Sequence, residues 1–420
     1  MKSPGFSDRF SLSKLCAALL SLLFVVVVSS CSQKQGTGQE TELPGDREIT
    51  TTIQSQFEVE ESVPADSIDV ETEDGVVTLN GNISNFLAKK EANRIAQSTY
   101  GVLSVVNNLK ITADRPDRAI DRDVDAALAS DPVTETWEIN SDVNNGVVTL
   151  TGRVDSWQEK DLAAAVAGHV KGVKEIENNI TVLYDEHRSD KEIRAEVEQK
   201  LKMSSQVNAD MVEVSVEEGA VTLSGAIGSA YEKMLVQDLA RVAGVESVAA
   251  DRLEVHPEYE NAMFRSDNID ALPGDEIKQA IEDALRYDPR VPANKISVRI
   301  DDNTAVLEGS VLYLNAKMAA ESDARNTAGI NSVENNITVE RKVVVEPQVP
   351  TTDEAVSERL RYAIQRDPYV EFTELKVTVE KGIARIRGTV DSQFEKDQLY
   401  QIAANVKGVI AIDNNVNIES

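Results

Sequence analysis

The chain repeats itself five times around two glycines held in register. Gly81, Gly152, Gly225, Gly309 and Gly388 each close a short run: Val-Thr-Leu-Asn, Val-Thr-Leu-Thr, Val-Thr-Leu-Ser, Ala-Val-Leu-Glu and Ala-Arg-Ile-Arg. A second glycine follows each one after 19 or 20 residues, at Gly101, Gly172, Gly244, Gly329 and Gly408. Self-similarity of this kind means one small domain copied in tandem rather than one large core. A unit of about 65–70 residues folds alone with a modest core. The functional question becomes one surface presented several times.

The second repeat is the clearest. Residues 119–128 place Ile120, Val124, Ala127 and Leu128 at helical spacing and end at Asp131-Pro132. Residues 137–143 alternate as a strand, Asn145-Gly146 is a hairpin turn, and 147–150 form the return strand. Gly152 is then expected to permit a bend. Residues 157–170 read as a second helix, with Gly172 at its C-terminal stop and 173–183 as a third strand. The order is αββαβ, and it fits the other repeats. Their turns fall at Asp74-Gly75, Glu218-Gly219, Asn303-Thr304 and Lys381-Gly382. Asp288-Pro289 and Asp367-Pro368 end the first helix in repeats four and five. Ala96, Ala167, Ala324 and Ala403, five residues before the second glycine, let the second helix approach a sheet; repeat three has Leu239. An Asn pair opens the third strand's pairing region at 107–108, 178–179, 335–336 and 414–415, with Asp251-Arg252 in repeat three.

This ordered set of motifs resembles the BON (bacterial OsmY and nodulation) domain family. The resemblance covers 48–113, 118–184, 189–256, 273–341 and 352–419. It implies an α+β fold of five tandem small αββαβ domains, beads on a string. It also implies non-catalytic roles in phospholipid or envelope binding and in osmotic protection. Repeats three and four depart from the pattern and are the doubtful carriers of a family ligand. The connectors at 114–117 and 185–188 are very short, the linker 257–272 is long and polar, and the linker 342–351 contains Pro347 and Pro350. A jointed string is expected, with repeats one to three moving as a unit.

The N-terminus reads as an address and an anchor. Lys2, Arg9 and Lys14 precede an apolar run that ends Val28-Ser29-Ser30-Cys31. Those are the parts of a secretory signal over residues 1–30. The run is short for a spanning helix, which needs roughly 20 residues, so an uncleaved anchor is the weaker alternative. The Val-Ser-Ser-Cys ending resembles a bacterial lipobox, with Cys31 as the lipidated residue. The chain has only two cysteines and Cys16 lies inside the signal, so Cys31 has no internal disulfide partner in the mature protein. Ser32 in place of Asp points, by resemblance to lipoprotein sorting signals, to the outer membrane facing the periplasm. Residues 31–47 read as a flexible tether.

A net charge of −29 repels a phosphate backbone, so no nucleic acid is expected as partner, and simple adhesion to anionic lipid is disfavoured. Membrane attachment is expected through Cys31, with phospholipid or an envelope protein as further partner. Catalytic chemistry is not expected. His169, His187 and His256 share no spacing and lack neighbours suited to zinc, and no phosphate loop or nucleophile elbow appears. Asp301-Asp302-Asn303 lacks the spacing of a calcium loop. No cofactor or metal is implied. One constellation recurs: Lys89, Lys160, Lys233, Lys317 and Lys396 each lie eight residues after the first glycine. Beside them stand Phe86, Trp157, Tyr231, Leu314 and Phe394. A lysine beside an aromatic at a helix start can meet a lipid headgroup and the acyl boundary together. The competing reading is an aromatic that caps the core and a lysine on a solvated face. The expected function is therefore a lipid-anchored envelope protein binding phospholipid or envelope components for membrane integrity or osmotic stress protection. The alternative is a periplasmic scaffold for an envelope protein.

Overall fold

Alternating apolar and polar residues bury one face of a strand, and every repeat buries that face beneath two helices. The computed structural model describes residues 43–112, 115–131, 133–134, 138–183, 188–204, 206–259, 273–301, 303–340, 352–372 and 375–419. Cys31, the signal, most of the expected tether and the linker 342–351 lie outside the described residues. Repeat one comprises α1 (Asp46–Val59), β1 (Ile68–Glu73), β2 (Val76–Ile83), α2 (Phe86–Ser98) and β3 (Ser104–Ile111). Repeat two has α3 (Asp117–Ser130), β4 (Ile139–Asn144), β5 (Val147–Val154), α4 (Trp157–Gly168) and β6 (Glu175–Val182). Repeat three has α5 (Asp190–Met203), β7 (Val212–Glu217), β8 (Ala220–Ile227), α6 (Ala230–Leu239) and β9 (Ser247–Val255). Repeat four has α7 (Gly274–Tyr287), β10 (Ile296–Asp301), β11 (Thr304–Val311), α8 (Leu314–Arg325) and β12 (Ser332–Val339). Repeat five has α9 (Asp353–Arg366), β13 (Lys376–Glu380), β14 (Ile383–Val390), α10 (Gln393–Ala404) and β15 (Ala411–Ile418).

Each repeat thus has the expected αββαβ order and its own three-stranded sheet. The glycine strand lies at the centre, antiparallel to the first strand and parallel to the third. Each also has its own core. In repeat two, Ile120 and Val124 of α3 meet Val148 and Leu150 of β5, Ala167 of α4 and Ile180 of β6, all buried. Burying a Val, Leu or Ile side chain contributes about 1.5–3 kcal/mol, which suits a small unit.

The first glycine does not bend the chain. β5 runs straight through Gly152 to Val154, and the other central strands run through theirs. The requirement is a close approach. A Cβ on Gly81, Gly152, Gly225 or Gly309 would lie 2.1–2.3 Å from the carbonyl oxygen of Ser67, Glu138, Met211 or Lys295, the residue that leads into the first strand. Their φ angles of 118–148° also exclude an ordinary side chain. The second glycine is not the helix stop either. Gly172 lies four residues beyond α4, at φ 97°, and a Cβ there would press on Arg115 and Ile120 at 3.0 Å. It seats the start of the first helix.

A tie absent from the sequence reading fixes that helix to the hairpin. The carboxylate of Asp117 accepts the N–H groups of both turn residues, Asn145 and Gly146, at 2.9 Å. Asp46, Asp190 and Asp353 do the same in repeats one, three and five. The first helices of repeats one and two therefore begin at Asp46 and Asp117, inside segments read as tether and connector. Both turn residues have positive φ, as a type I′ hairpin requires. Repeat four differs at both ends of the tie. Asp301 pairs with Thr304, so Thr304 belongs to the return strand rather than to the turn, and Asn303 takes the glycine place at φ 65°. Gly274 stands where the aspartate would be.

In repeat three, which has no Asn pair, the third strand is one residue longer. β9 spans nine residues, and its pairing with β8 shifts between Thr222 and Ser224, a β-bulge that absorbs the extra residue. The small buried residue under α6 is correspondingly Ala240 rather than Leu239. The Asp-Pro motif closes a turn: Asp131, Asp288 and Asp367 accept the N–H two residues on, at 2.8–2.9 Å. Ser204 does so in repeat three.

Gly152→Ala is expected to destabilise repeat two by about 2–3 kcal/mol, the usual strain at a glycine-only backbone position. Native-state hydrogen exchange of the β5 amides in the full chain reads this directly. Unchanged protection would refute the close-approach account.

Candidate functional site

The start of the second helix is built the same way in four repeats. The side chains of Asn85, Ser156, Ser229 and Ser392 cap α2, α4, α6 and α10, accepting the N–H three residues on. The glutamates before three of the lysines complete these caps. Glu159, Glu232 and Glu395 accept the N–H groups of Asp155, Gly228 and Asp391 at 2.6–3.0 Å. Burial raises the pKa of all three.

The five lysines follow, and the structure shows what their register does. Asn107, Asn178, Asn335 and Asn414 donate through Nδ2 to the backbone carbonyls of Lys89, Lys160, Lys317 and Lys396, at 2.7–3.2 Å. This bond ties the second helix to the middle of the third strand. The Asn pair therefore sits mid-strand and not at its opening. The Lys396 ammonium also donates to the carbonyl of Val416 at 2.8 Å. In repeat three, which lacks the Asn, the Lys233 ammonium donates to Leu253 at 2.7 Å. Lys160 lies 5.2 Å from the Trp157 ring centroid, and burial lowers its pKa.

The aromatic neighbours stand where repeats meet. Phe86 packs into the cores of both repeats one and two and lies within 3.2 Å of where a Gly168 Cβ would be. Trp157 Nε1 donates to the carbonyl of Val245 in repeat three at 3.0 Å, and the Arg241 guanidinium lies 5.4 Å from its ring centroid. Tyr231 begins α6, which packs on α2 of repeat one. Phe394 stacks edge-on against Tyr369 with centroids 4.9 Å apart, and its N–H donates to Glu61 of repeat one at 3.1 Å. Leu314 is buried within repeat four.

The string is therefore also cross-linked. Asp123 of α3, only 2 % exposed, accepts the Tyr362 hydroxyl of α9 and pairs with Arg115. Burial raises its pKa, but Tyr362 and Arg115 outweigh that and hold it low. Lys171 N–H donates to the Arg366 carbonyl at 2.8 Å, so repeat five docks on repeat two. Repeats three and four are joined by Ala328 N–H to the Met203 carbonyl at 2.9 Å. The unit is broader than repeats one to three.

These repeats border an open cavity of about 950 Å³, lined by repeats two, three and four and by Lys90 of repeat one. The Lys200 ammonium lies 4.0 Å from the Tyr287 ring centroid in its wall, and burial lowers its pKa. Arg188 holds one oxygen of Glu196 at 2.5 Å, and Arg290 holds Asp288 at 2.6 Å. Burial, then the neighbouring Asp288, pushes the Asp323 carboxyl up to about 8. Nothing in the sequence reading pointed here, because the lining residues come from different repeats and share no register. Neither His169 nor His256 lines it: His169 Nδ1 lies 2.7 Å from the Ala165 carbonyl, and His256 sits between Glu254 and Glu258; His187 lies outside the described residues. Among the described residues no cluster suited to a metal ion occurs.

A family model of the BON domain matches residues 45–113, 116–184, 189–257, 274–341 and 352–420. The chain is similar to osmotically-inducible protein Y of Escherichia coli, 28 % identical over 143 residues, which cover 32 % of this chain and 71 % of that protein. It is similar to outer membrane lipoprotein DolP of Haemophilus influenzae, 28 % identical over 137 residues, covering 31 % and 71 %. It also aligns with the C-terminal domain of CdsD, a structural protein of the type III secretion system of Chlamydia trachomatis. That alignment is 18 % identical and covers 50 % of this chain and 96 % of the other; its TM-score of 0.14 is too low to carry an argument.

The raised Asp323 pKa has a consequence for stability. The carboxyl is higher in the folded state than in the unfolded chain, so its contribution is full below about pH 4. That contribution is lost as pH rises toward about 8. Asp323→Asn is expected to flatten this fall. Exchange protection of the α8 amides at pH 5 and pH 8, compared between the two chains, measures it; an unchanged pH dependence would refute the assignment.

Proposed function

Because the chain belongs to the BON-domain family, we propose that it is a non-catalytic, lipid-anchored protein of the bacterial cell envelope. Its repeats engage phospholipid or another envelope component and so support membrane integrity or protection against osmotic stress. The observation that carries this reading is a lipobox-like Val28-Ser29-Ser30-Cys31 followed by five repeats of one family. The names of two relatives, an outer membrane lipoprotein and an osmotically-inducible protein, agree with it. Acyl chains on Cys31 supply about 0.8 kcal/mol per buried methylene, which an acidic body cannot obtain from lipid charge. Ser32 favours the outer membrane, with the repeats facing the periplasm. The in-register lysines are the proposed headgroup contacts. Lys89, Lys160 and Lys317 rank ahead of Lys233 and Lys396, whose ammonium groups are committed to strand carbonyls.

A second reading, a scaffold for an envelope protein, rests on Phe86 and Trp157, which already contact protein at repeat junctions. Each three-stranded sheet also has two outer strands with edges to which a partner strand can add.

Cys31→Ala is expected to move the protein from the membrane to the soluble fraction and to abolish palmitate labelling; retention of both would refute the anchor. A chain beginning at Ser32, which lacks the anchor, is expected to sediment with zwitterionic phosphatidylethanolamine vesicles only at large lipid excess, since headgroup contact without acyl chains is weak. The triple variant Lys89→Glu, Lys160→Glu, Lys317→Glu should reduce the bound fraction at least fivefold. Unchanged sedimentation removes these lysines from the lipid contact. Stable co-purification of one envelope protein without vesicle binding would favour the scaffold.

A further inference from the structure

We propose that the outer face of α1 is a self-association surface, on which a second copy of this chain docks its own α1. The five first helices are each 14 residues long, so their positions correspond one to one. Four of them are already paired: α3 packs on α9, and α5 packs on α7. The elements that α1 packs against, α2, β1 and the turn Ala65–Ser67, belong to its own repeat. Five repeats paired two by two leave one first helix over.

Both existing pairs are built alike. Lys171 N–H donates to the Arg366 carbonyl at 2.8 Å, and Ala328 N–H to the Met203 carbonyl at 2.9 Å. In each, the donor precedes the second glycine of one repeat and the acceptor ends the first helix of the other. Side chains then meet across the pair from the same helix face: Tyr362 on Asp123, Arg366 on Ser130, and Lys200 over Tyr287. The seventh, eleventh and last residues of all four paired helices are buried or half-buried. Their counterparts in α1, Thr52, Gln56 and Val59, are exposed, Val59 to 82 %. With Ser55 they border an open groove of about 610 Å³ toward α2. Repeat five touches repeat one at Glu61, beyond the helix end, and leaves this face uncovered.

The occupant follows from charge. A two-fold contact brings a patch against its own copy, so a charged face repels itself. In a chain of net charge −29, Thr52, Ser55, Gln56 and Val59 carry no charge. The paired faces instead oppose unlike groups, as Lys200 of α5 does with Asp283 of α7. Thr, Ser and Gln side chains each donate and accept hydrogen bonds, so this face is complementary to itself. Tyr100 N–H and the Val59 carbonyl hold the places that Lys171 N–H and the Arg366 carbonyl hold between repeats two and five. They are expected to bond between copies.

The test is sedimentation velocity of the chain from Ser32 to Ser420 over about 2–200 µM, a range that covers weak dimers. A monomer–dimer equilibrium is expected. Val59→Glu, at a site exposed enough to leave folding intact, should raise the dimer Kd at least about tenfold, and Val59→Leu should preserve it. This chain holds no cysteine of its own. Val59→Cys is therefore also expected to give a disulfide-linked dimer on oxidation, and Leu183→Cys, exposed on repeat two, should not. A monomer at every concentration, or a dimer that Val59→Glu leaves unchanged, would overturn the proposal. So would a monomeric chain whose fluorophore on Val59→Cys shifts its emission with phosphatidylethanolamine vesicles, which gives the face to lipid instead.

Discussion

A carbonyl oxygen occupies the place where a β-carbon on the first glycine would have to be. That approach, at 2.1–2.3 Å from the ideal Cβ position, lets the chain enter the first strand directly across the central one. The rest of each repeat depends on it. With the two strands seated, the hairpin turn points its N–H groups at the aspartate of the first helix, which fixes that helix over the sheet. The second glycine admits the same helix start from the other side. Three backbone constraints thus position a core made almost wholly of Val, Ile, Leu and Ala.

The repeats that depart from the pattern keep the fold by local compensation. Repeat three lacks the Asn tie, keeps the lysine ammonium on a strand carbonyl that repeat five also has, and absorbs its extra residue in a bulge. Repeat four gives up both the aspartate and the hairpin glycine, and Asn303 tolerates the left-handed conformation in the glycine's place. The changes come in pairs, as expected when two residues serve one bond.

The polar positions that recur in register serve this scaffold. The glutamate, the lysine and the asparagine are a cap, a carbonyl and the donor that finds it. What does not recur is found between repeats: Trp157 on Val245, Tyr362 on Asp123, and a cavity whose charged lining comes from several repeats. Duplication supplied identical parts, and divergence at their contacts supplied the individual features.

The number of repeats, the αββαβ order and four of the five hairpin turns were legible in the amino-acid sequence, because strand alternation, helical spacing and positive-φ turns are local properties. The lysine register was equally legible, but its cause was not. Only the fold shows that an asparagine 18 residues later bonds the lysine's own carbonyl. Gly152 resembles a bend in sequence for the same reason: the oxygen that excludes its side chain belongs to Glu138, distant in sequence and adjacent only across the sheet. The contacts between repeats were beyond reach altogether. They join residues as far apart as Asp123 and Tyr362, and no periodicity marks a surface used once. Sequence determined what each repeat is, since that depends on neighbours along the chain. Tertiary structure decided what the five make together, since burial between repeats and the bonds across them exist only after the repeats have met.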